Sequence, residues 1–183
     1  MLTILDPPAA EPVSVADAKA HLRLTSSSED GLVSRTIAAA REVIEARTGR
    51  ALVSQKIRLV LDRAPEHVAT LPRGPLVSID AVEVETADGV WTATDAFAAE
   101  LGEAARLVAT APWPRPAKPI GGVRIDASVG YGGEGAAPAD LLRAVLLLTA
   151  HFYERREPLE SDRPYALPHS IEALIGGYRR VRL

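Results

Sequence analysis

The amino-acid sequence predicts an α+β fold, a small helical bundle formed by N- and C-terminal helices with an inserted antiparallel β region. Near both ends of the 183-residue chain, apolar residues recur at the spacing of a helix face. In the middle of the chain they alternate with polar residues, which is typical of half-buried strands. We therefore expect one domain, residues 1–183, with a helical core from 13–50 and 138–178, a β insertion at about 51–135 and a C-terminal tail at 179–183.

Two helices are predicted before the β insertion. Ser14 followed by Asp17 matches an N-cap residue with an acid at the third helical position, so a short helix should follow Ser14. A polar loop at 25–30 separates this helix from a longer one. The longer helix should end at Gly49, because glycine readily takes the left-handed conformation that closes a helix.

The β insertion is predicted from alternation and from turn residues. Apolar and polar residues alternate at 53–61 and again at 123–129, as they do in strands with one buried face. After Ala81 the apolar phase of the intervening strand shifts, which predicts a bulge or a bend. The dipeptide Asp88-Gly89 is a strong tight-turn signal, so a hairpin partner should follow it.

Two further helices are predicted after the β insertion. The first starts at Pro138 and runs to about Glu157, and its apolar residues cover almost the whole circumference. A helix that is apolar nearly all round is buried on most sides. The second should run from Pro168 to Tyr178.

Composition limits the possible functions. The formal net charge is -3, so the chain lacks the basic footprint of a stand-alone DNA-binding domain. It has no cysteine, which rules out disulfides, thiolate zinc sites and cysteine nucleophiles. The first residues do not resemble a signal peptide, and the longest apolar run is too short to span a bilayer, so we expect no membrane partner.

No residue set in the sequence matches a catalytic, cofactor-binding or metal-binding motif. The four acids Asp80, Glu83, Glu85 and Asp88 lack the spacing of a calcium loop and alternate as on a solvated strand face. The glycine-rich stretch 130–135 does not follow a phosphate-loop pattern. We therefore expect no enzyme activity and no cofactor. A divalent-cation-dependent ligand-binding domain or enzyme that uses the four acids is the remaining alternative of this kind.

Two surfaces are candidates for partner binding. The helix that follows Pro138 has more apolar surface than a small bundle is expected to cover, which predicts a subunit interface at Leu142, Leu146 and Phe152. Packing of the β insertion over the same helix is an equally good explanation. The second candidate is the basic, apolar C-terminal run, which could be a frayed helix end or an arm for an acidic partner: Tyr178, Arg179, Arg180, Val181, Arg182 and Leu183.

The order and spacing of these segments resemble the head–tail connector (adaptor) proteins of tailed phages, in the longer prophage type with a β insertion. The motif Leu71-Pro72-Arg73-Gly74-Pro75-Leu76 is part of the resemblance, which covers nearly the whole chain. The other matching segments are residues 15–24, 37–52, 129–132, 138–144, 151–157 and 174–179. The composition, rich in Ala and Arg, is also similar to that of the connector of alphaproteobacterial gene transfer agents, which are phage-like particles.

This resemblance implies a structural protein that forms a ring, commonly of twelve copies, beneath the portal protein. Such a ring joins the capsid to a head-closure (stopper) or tail protein, and double-stranded DNA passes through it. The resemblance assigns portal binding to the C-terminal run. It places the protein in the cytoplasm of the producing bacterium and then in the particle, at the head–tail junction. A head-closure or tail-completion protein of the same particle is the alternative.

Overall fold

The computed structural model describes residues 1–155 and 167–179, and these residues contain four helices and two antiparallel sheets, which confirms the predicted α+β class. The elements in chain order are β1 (Leu2–Asp6), α1 (Val15–Leu22), α2 (Asp30–Thr48), β2 (Gln55–Leu61), β3 (Val68–Thr70), β4 (Leu76–Ala87), β5 (Val90–Ala93), β6 (Phe97–Glu100), β7 (Arg106–Ala109), β8 (Val123–Val129), α3 (Ala139–Glu154) and α4 (His169–Gly176). The chain divides into a β unit, Met1–Ala9 with Ser54–Tyr131, and a helical unit, Ala10–Val53 with Gly132–Leu183.

The helices of the helical unit begin and end largely where local sequence signals place them. The Ser14 side chain accepts a hydrogen bond from the Asp17 N–H at 3.0 Å, so the predicted N-cap of α1 is confirmed. Helix α2 ends at Gly49, whose φ of 66° is the left-handed conformation that the sequence predicted. Helix α3 follows Pro138 directly. Its predicted end near Glu157 lies outside the described residues.

Helix α3 is the centre of the helical unit. It packs against α1, α2 and α4, so apolar residues on several of its faces are buried, as its sequence predicted. Full burial of one leucine or isoleucine side chain contributes about 1.5–3 kcal/mol to the stability of the fold. The largest fully buried aliphatic side chains of this core are Ile37, Ile44, Leu52, Leu141, Leu148, Ile171 and Ile175.

The β unit contains a five-stranded sheet in the order β1-β2-β8-β4-β5 and a three-stranded sheet in the order β3-β7-β6. Strand β8 is central, and its alternate residues from Val123 to Val129 are buried, as the alternation predicted. Opposite it, the pairing of β4 shifts between Ile79 and Ala81, which confirms the predicted bulge. The hairpin from β4 to β5 is also confirmed, with Gly89 at a φ of 70° in its turn.

Three strands were not predicted from the sequence: β1, β3 and β6. Strands β1 and β6 are largely exposed on both faces, so burial imposes no alternation on their sequences. Strand β3 has only three residues, which is too short for a periodic signal. All three lie at sheet edges, where half of the backbone pairing is missing and side chains are less constrained.

Candidate functional site

An open groove in the helical unit contains two of the three residues predicted to form a subunit interface. Leu142 and Leu146 lie one turn apart on α3, and both are half-buried. The groove has a volume of about 450 Å³. Its other lining residues come from α1, from the segment before α1 and from the glycine-rich stretch: Pro12, Val13, Asp17, Ala20, His21, Glu134 and Gly135.

The groove combines an apolar floor with an acidic rim. Asp17 and Glu134 are both exposed at its edges. The Ser14 hydroxyl donates a hydrogen bond to the Asp17 carboxylate at 2.7 Å, which fixes that carboxylate at the start of α1. Carboxylates beside an apolar surface complement a partner segment that carries an aliphatic side chain next to a cation. The groove therefore places two exposed carboxylates beside two half-buried leucines.

Phe152, the third predicted interface residue, is not among the residues that line the groove. It is half-buried on the last turn of α3, and its ring centroid is 6.3 Å from that of His151. Burial lowers the pKa of His151, and the nearby charge of Arg155 acts in the same direction. The predicted interface residues therefore separate into a groove pair and a side chain at the C-terminal end of α3.

The structure describes only the first two residues of the predicted C-terminal binding run. The Nε of Arg50 donates a hydrogen bond to the Tyr178 carbonyl oxygen at 3.4 Å. Arg179 is exposed and forms an ion pair with Glu172. The remaining residues of the run, Arg180, Val181, Arg182 and Leu183, lie outside the described residues.

A buried ion network supports the wall of the groove. Arg41 of α2 donates from its Nε to Glu11 at 2.8 Å and from NH1 to Glu45 at 3.3 Å. Burial opposes the charge of Arg41, but the hydrogen bond to Glu11 and the charges of Glu45 and Glu11 outweigh it and raise the Arg41 pKa. Because Glu11 directly precedes Pro12 and Val13, this network fixes part of the groove lining to α2. This network was not predicted, since its only local signal in the sequence is the i,i+4 spacing of Arg41 and Glu45.

Three of the four acids considered for a cation site, Asp80, Glu83 and Glu85, contact protein groups. The Glu83 carboxylate accepts from Arg124 at 2.6 Å, and Asp80 accepts from Ser78 and Ser128 at 2.7 and 2.8 Å. Across residues 1–155 and 167–179, no group of three or more histidine or acidic side chains could hold a metal ion. The acidic face of β4 is thus part of the ion-pairing that joins β4 to its neighbours.

Glu85 is the buried member of this acidic set. Its carboxylate is 2.5 Å from the Nζ of Lys118 and accepts from the Gly89 N–H at 2.9 Å. The hydrogen bond from Lys118 and then that from Gly89 hold the pKa of Glu85 below its usual value. A carboxyl with a lowered pKa in the folded state stabilises the fold above its unfolded pKa, and this contribution is lost as the pH falls.

Replacement of Lys118 by alanine is therefore expected to raise the midpoint pH of acid unfolding. The substitution removes the first cause of the lowered Glu85 pKa, so this carboxyl takes up its proton at a higher pH. Circular dichroism during acid titration measures the midpoint. Lys56→Ala is the matched control, since Lys56 is an exposed lysine of the β unit whose Nζ is 3.9 Å from Asp6. An equal shift in both variants would contradict the assignment to Glu85.

The comparisons with known proteins agree with a structural role. A family model described as phage gp6-like head-tail connector protein matches residues 12–89. A chain in the neck of an empty gene transfer agent particle, computed with C6 symmetry, matches with 32% identity and a TM-score of 0.82. That match covers 100% of this chain and 97% of the other. The chain belongs to the phage gp6-like head-tail connector family.

Two further structures match this connector along its whole length. One is the virion of a native gene transfer agent particle, and the other is the neck of a native particle computed with C12 symmetry. Each matching chain is 33% identical, has a TM-score of 0.79 and is covered to 97% of its length, with 100% of this chain covered. The comparison with curated proteins gave no match. The family and its function as a structural head–tail connector subunit are those that the sequence resemblance predicted.

Among residues 1–155 and 167–179, no helix is both long enough and apolar enough to cross a bilayer.

Proposed function

We propose that this connector forms a ring in the neck of a gene transfer agent particle, where it joins the head to the tail without catalysing a reaction. The observation that carries this proposal is its end-to-end similarity to neck chains at 32% and 33% identity. The C12 symmetry of one matching neck supports a ring of twelve copies. In the proposed location the ring binds the portal protein on one side and a head-closure or tail protein on the other.

Double-stranded DNA is proposed to pass through the ring. A channel that lets DNA slide must avoid strong binding to phosphates, because each neutralised phosphate releases counterions and increases affinity. A subunit with a net charge of -3 satisfies this requirement better than a basic one. We also propose that the subunit is made in the cytoplasm of the producing bacterium and then remains in the particle at the head–tail junction.

The groove around Leu142 and Leu146 is proposed as a contact between neighbouring subunits. Its leucines are half-buried in the single chain, so a neighbour could remove further apolar surface from water. Its acidic rim supplies a means of selecting a partner by charge. Phe152 is proposed as a second, separate contact at the end of α3.

The C-terminal run from Tyr178 to Leu183 is proposed as the anchor for the portal protein. Its first residue, Tyr178, is joined to the helical unit by the hydrogen bond from Arg50 to its carbonyl oxygen. A short basic and apolar segment can bind an acidic groove by coupled folding.

Charge reversal in this run is expected to abolish attachment to portal-bearing heads. In the variant Arg180→Glu with Arg182→Glu, two contacts that are proposed to be attractive become repulsive. Like charges at an interface cost several kcal/mol. We therefore expect at least about a hundred-fold less connector on purified heads. Quantitative immunoblotting of sedimented heads measures the bound connector. The control is Arg115→Glu, an exposed arginine of the β unit. Unchanged attachment of the double variant would refute the anchor.

Deletion of the connector gene in the producing bacterium tests the proposed function as a whole. The expected result is separate heads and tails, with joining restored by the wild-type gene. A cryo-electron microscopy map of the restored particle should show the chain as a ring directly below the portal. Density one position further from the head would instead favour a head-closure protein, and joined particles without the gene would contradict the proposal.

A further inference from the structure

The five-stranded sheet has two free edges, formed by β1 and β5. Each of these strands pairs with one partner strand, β2 and β4 respectively, within the described residues. A free edge presents unpaired backbone N–H and C=O groups to any other strand that approaches it. Proteins commonly protect such edges with lysine, proline, inward-pointing charges or a covering segment.

Strand β1 lacks most of this protection. Its sequence, Leu2–Asp6, contains no lysine or proline, and its aliphatic residues Ile4 and Leu5 are 44% and 39% exposed. A bulge at Leu5 and the terminal Asp6 are its only protective features. At the other edge, Val90 of β5 is 54% exposed. An apolar, exposed edge strand in a protein of an assembled particle is a candidate for pairing with another chain.

The direction of the strands decides which pairing fits a ring. All neighbouring strands of this sheet are antiparallel, and the sheet has five strands. Its two edge strands, β1 and β5, therefore run in the same direction. Sheets of successive copies in a cyclic ring can thus be joined edge to edge with one constant polarity. Such a contact is head-to-tail, between two different surfaces, which is the kind of contact that closes a cyclic ring.

We propose that β1 of each subunit pairs in parallel with β5 of the neighbouring subunit, so that the five-stranded sheets continue from copy to copy around the ring. The occupant of each edge is thus a second copy of this chain. This inference rests on the proposed ring. The pairing satisfies both free edges at once and covers the exposed aliphatic side chains of β1.

Cysteine cross-linking tests the pairing, because the wild-type chain has no cysteine. The strand registers place Thr3 and Ala93 on the same face of the sheet. Thr3 is opposite Arg58, which is opposite Asp126 of β8. Ala93 is opposite Glu83, which is opposite Arg124, two residues from Asp126 on the same strand. Both positions are exposed. Particles that contain the variant Thr3→Cys with Ala93→Cys are treated with a bis-maleimide, and cross-linked connector is detected by immunoblotting. A reagent with a reach of about 8 Å spans direct and diagonal cross-strand neighbours.

The expected result is a ladder of connector oligomers from the double variant and no cross-linked connector from either single variant. The pair Thr3→Cys with Val77→Cys serves as a control, since Val77 is exposed on β4, outside the stretch Glu83–Ala87 that pairs with β5. Dimers from Thr3→Cys alone would mean that two β1 strands pair about a two-fold axis, and would overturn the proposal. An intact ring in the particle map without any ladder would overturn the edge pairing and leave the proposed function standing. Absence of a ring in wild-type particles would overturn both.

A second measurement does not depend on cysteine chemistry. Val90→Lys places a charge on the β5 edge and is expected to reduce the connector incorporated per particle by about ten-fold or more, which corresponds to about 1.4 kcal/mol. Val77→Lys is the matched control, because Val77 is a valine with a similar exposure of 52% but lies on β4, outside the stretch that pairs with β5. Equal incorporation of the two variants would count against pairing at β5.

Discussion

Replacement of Glu45 by alanine is expected to lower the free energy of unfolding by about 3 kcal/mol, because it leaves part of a buried ion network without its counter-charge. Glu45 is 1% exposed and accepts a hydrogen bond from the Leu52 N–H at 2.8 Å in addition to its contact with Arg41. Without it, the Leu52 N–H loses a buried acceptor. In the variant, Arg41 still has Glu11 as an ion-pair partner. We therefore expect a loss of unfolding free energy at the lower end of the range for broken buried ion pairs.

Glu42→Ala is the matched control for this prediction. Glu42 is the same residue type on the same helix and also contacts Arg41, at 3.6 Å, but its side chain is 71% exposed. An exposed ion pair contributes about 0–1 kcal/mol, so the control should unfold at nearly the wild-type urea concentration. Urea unfolding followed by circular dichroism measures both variants. Equal stability losses in the two would show that the burial of Glu45 has no energetic consequence.

Substitution of both groove leucines by aspartate is expected to abolish incorporation into particles while the chain remains folded. Leu142 and Leu146 are only half-buried in the single chain, and charges at these positions can therefore reach water. At a subunit contact the same charges would be desolvated beside the acidic rim formed by Asp17 and Glu134. Because each leucine is already half-buried, loss of the two aliphatic contacts alone corresponds to about 1.5–3 kcal/mol, or about ten-fold to a hundred-fold weaker binding.

The experiment compares connector content per purified particle, measured by immunoblotting, with the thermal stability of the free protein. Leu101→Asp is a suitable control, because Leu101 is a leucine of the β unit that is 57% exposed. The control should be incorporated normally. If the double variant is incorporated normally and its thermal stability is unchanged, the groove is not a subunit contact. If the double variant loses both its thermal stability and its incorporation, the two leucines belong to the core of the subunit and not to a subunit contact.

Local sequence signals were sufficient for most of the helices and for the inner strands. The Ser14 cap, the Gly49 terminus, the bulge after Ala81 and the turn at Gly89 each depend on a few consecutive residues, and each is present in the structure. The acidic groove rim could not be predicted in this way. Asp17 and Glu134 are far apart in the sequence, and neither position has a periodic signal that points to the other.

By itself, the sequence determined the α+β class and the order of the main elements, because helix and strand periods, caps and turns are properties of short segments. The connector family was predicted from the resemblance of these segments, in their order and spacing, to a known family. The sequence also predicted Leu142 and Leu146 as candidates for a subunit interface, with packing of the β insertion over the same helix as the alternative. Only the tertiary structure decided that these leucines form the floor of an acid-rimmed groove, that Arg41 joins Glu11 to Glu45, and that β1 and β5 are free edges running in the same direction. The physical reason is that partner choice depends on which distant segments meet in space. The local helix and strand periods of a sequence do not indicate which distant segments meet.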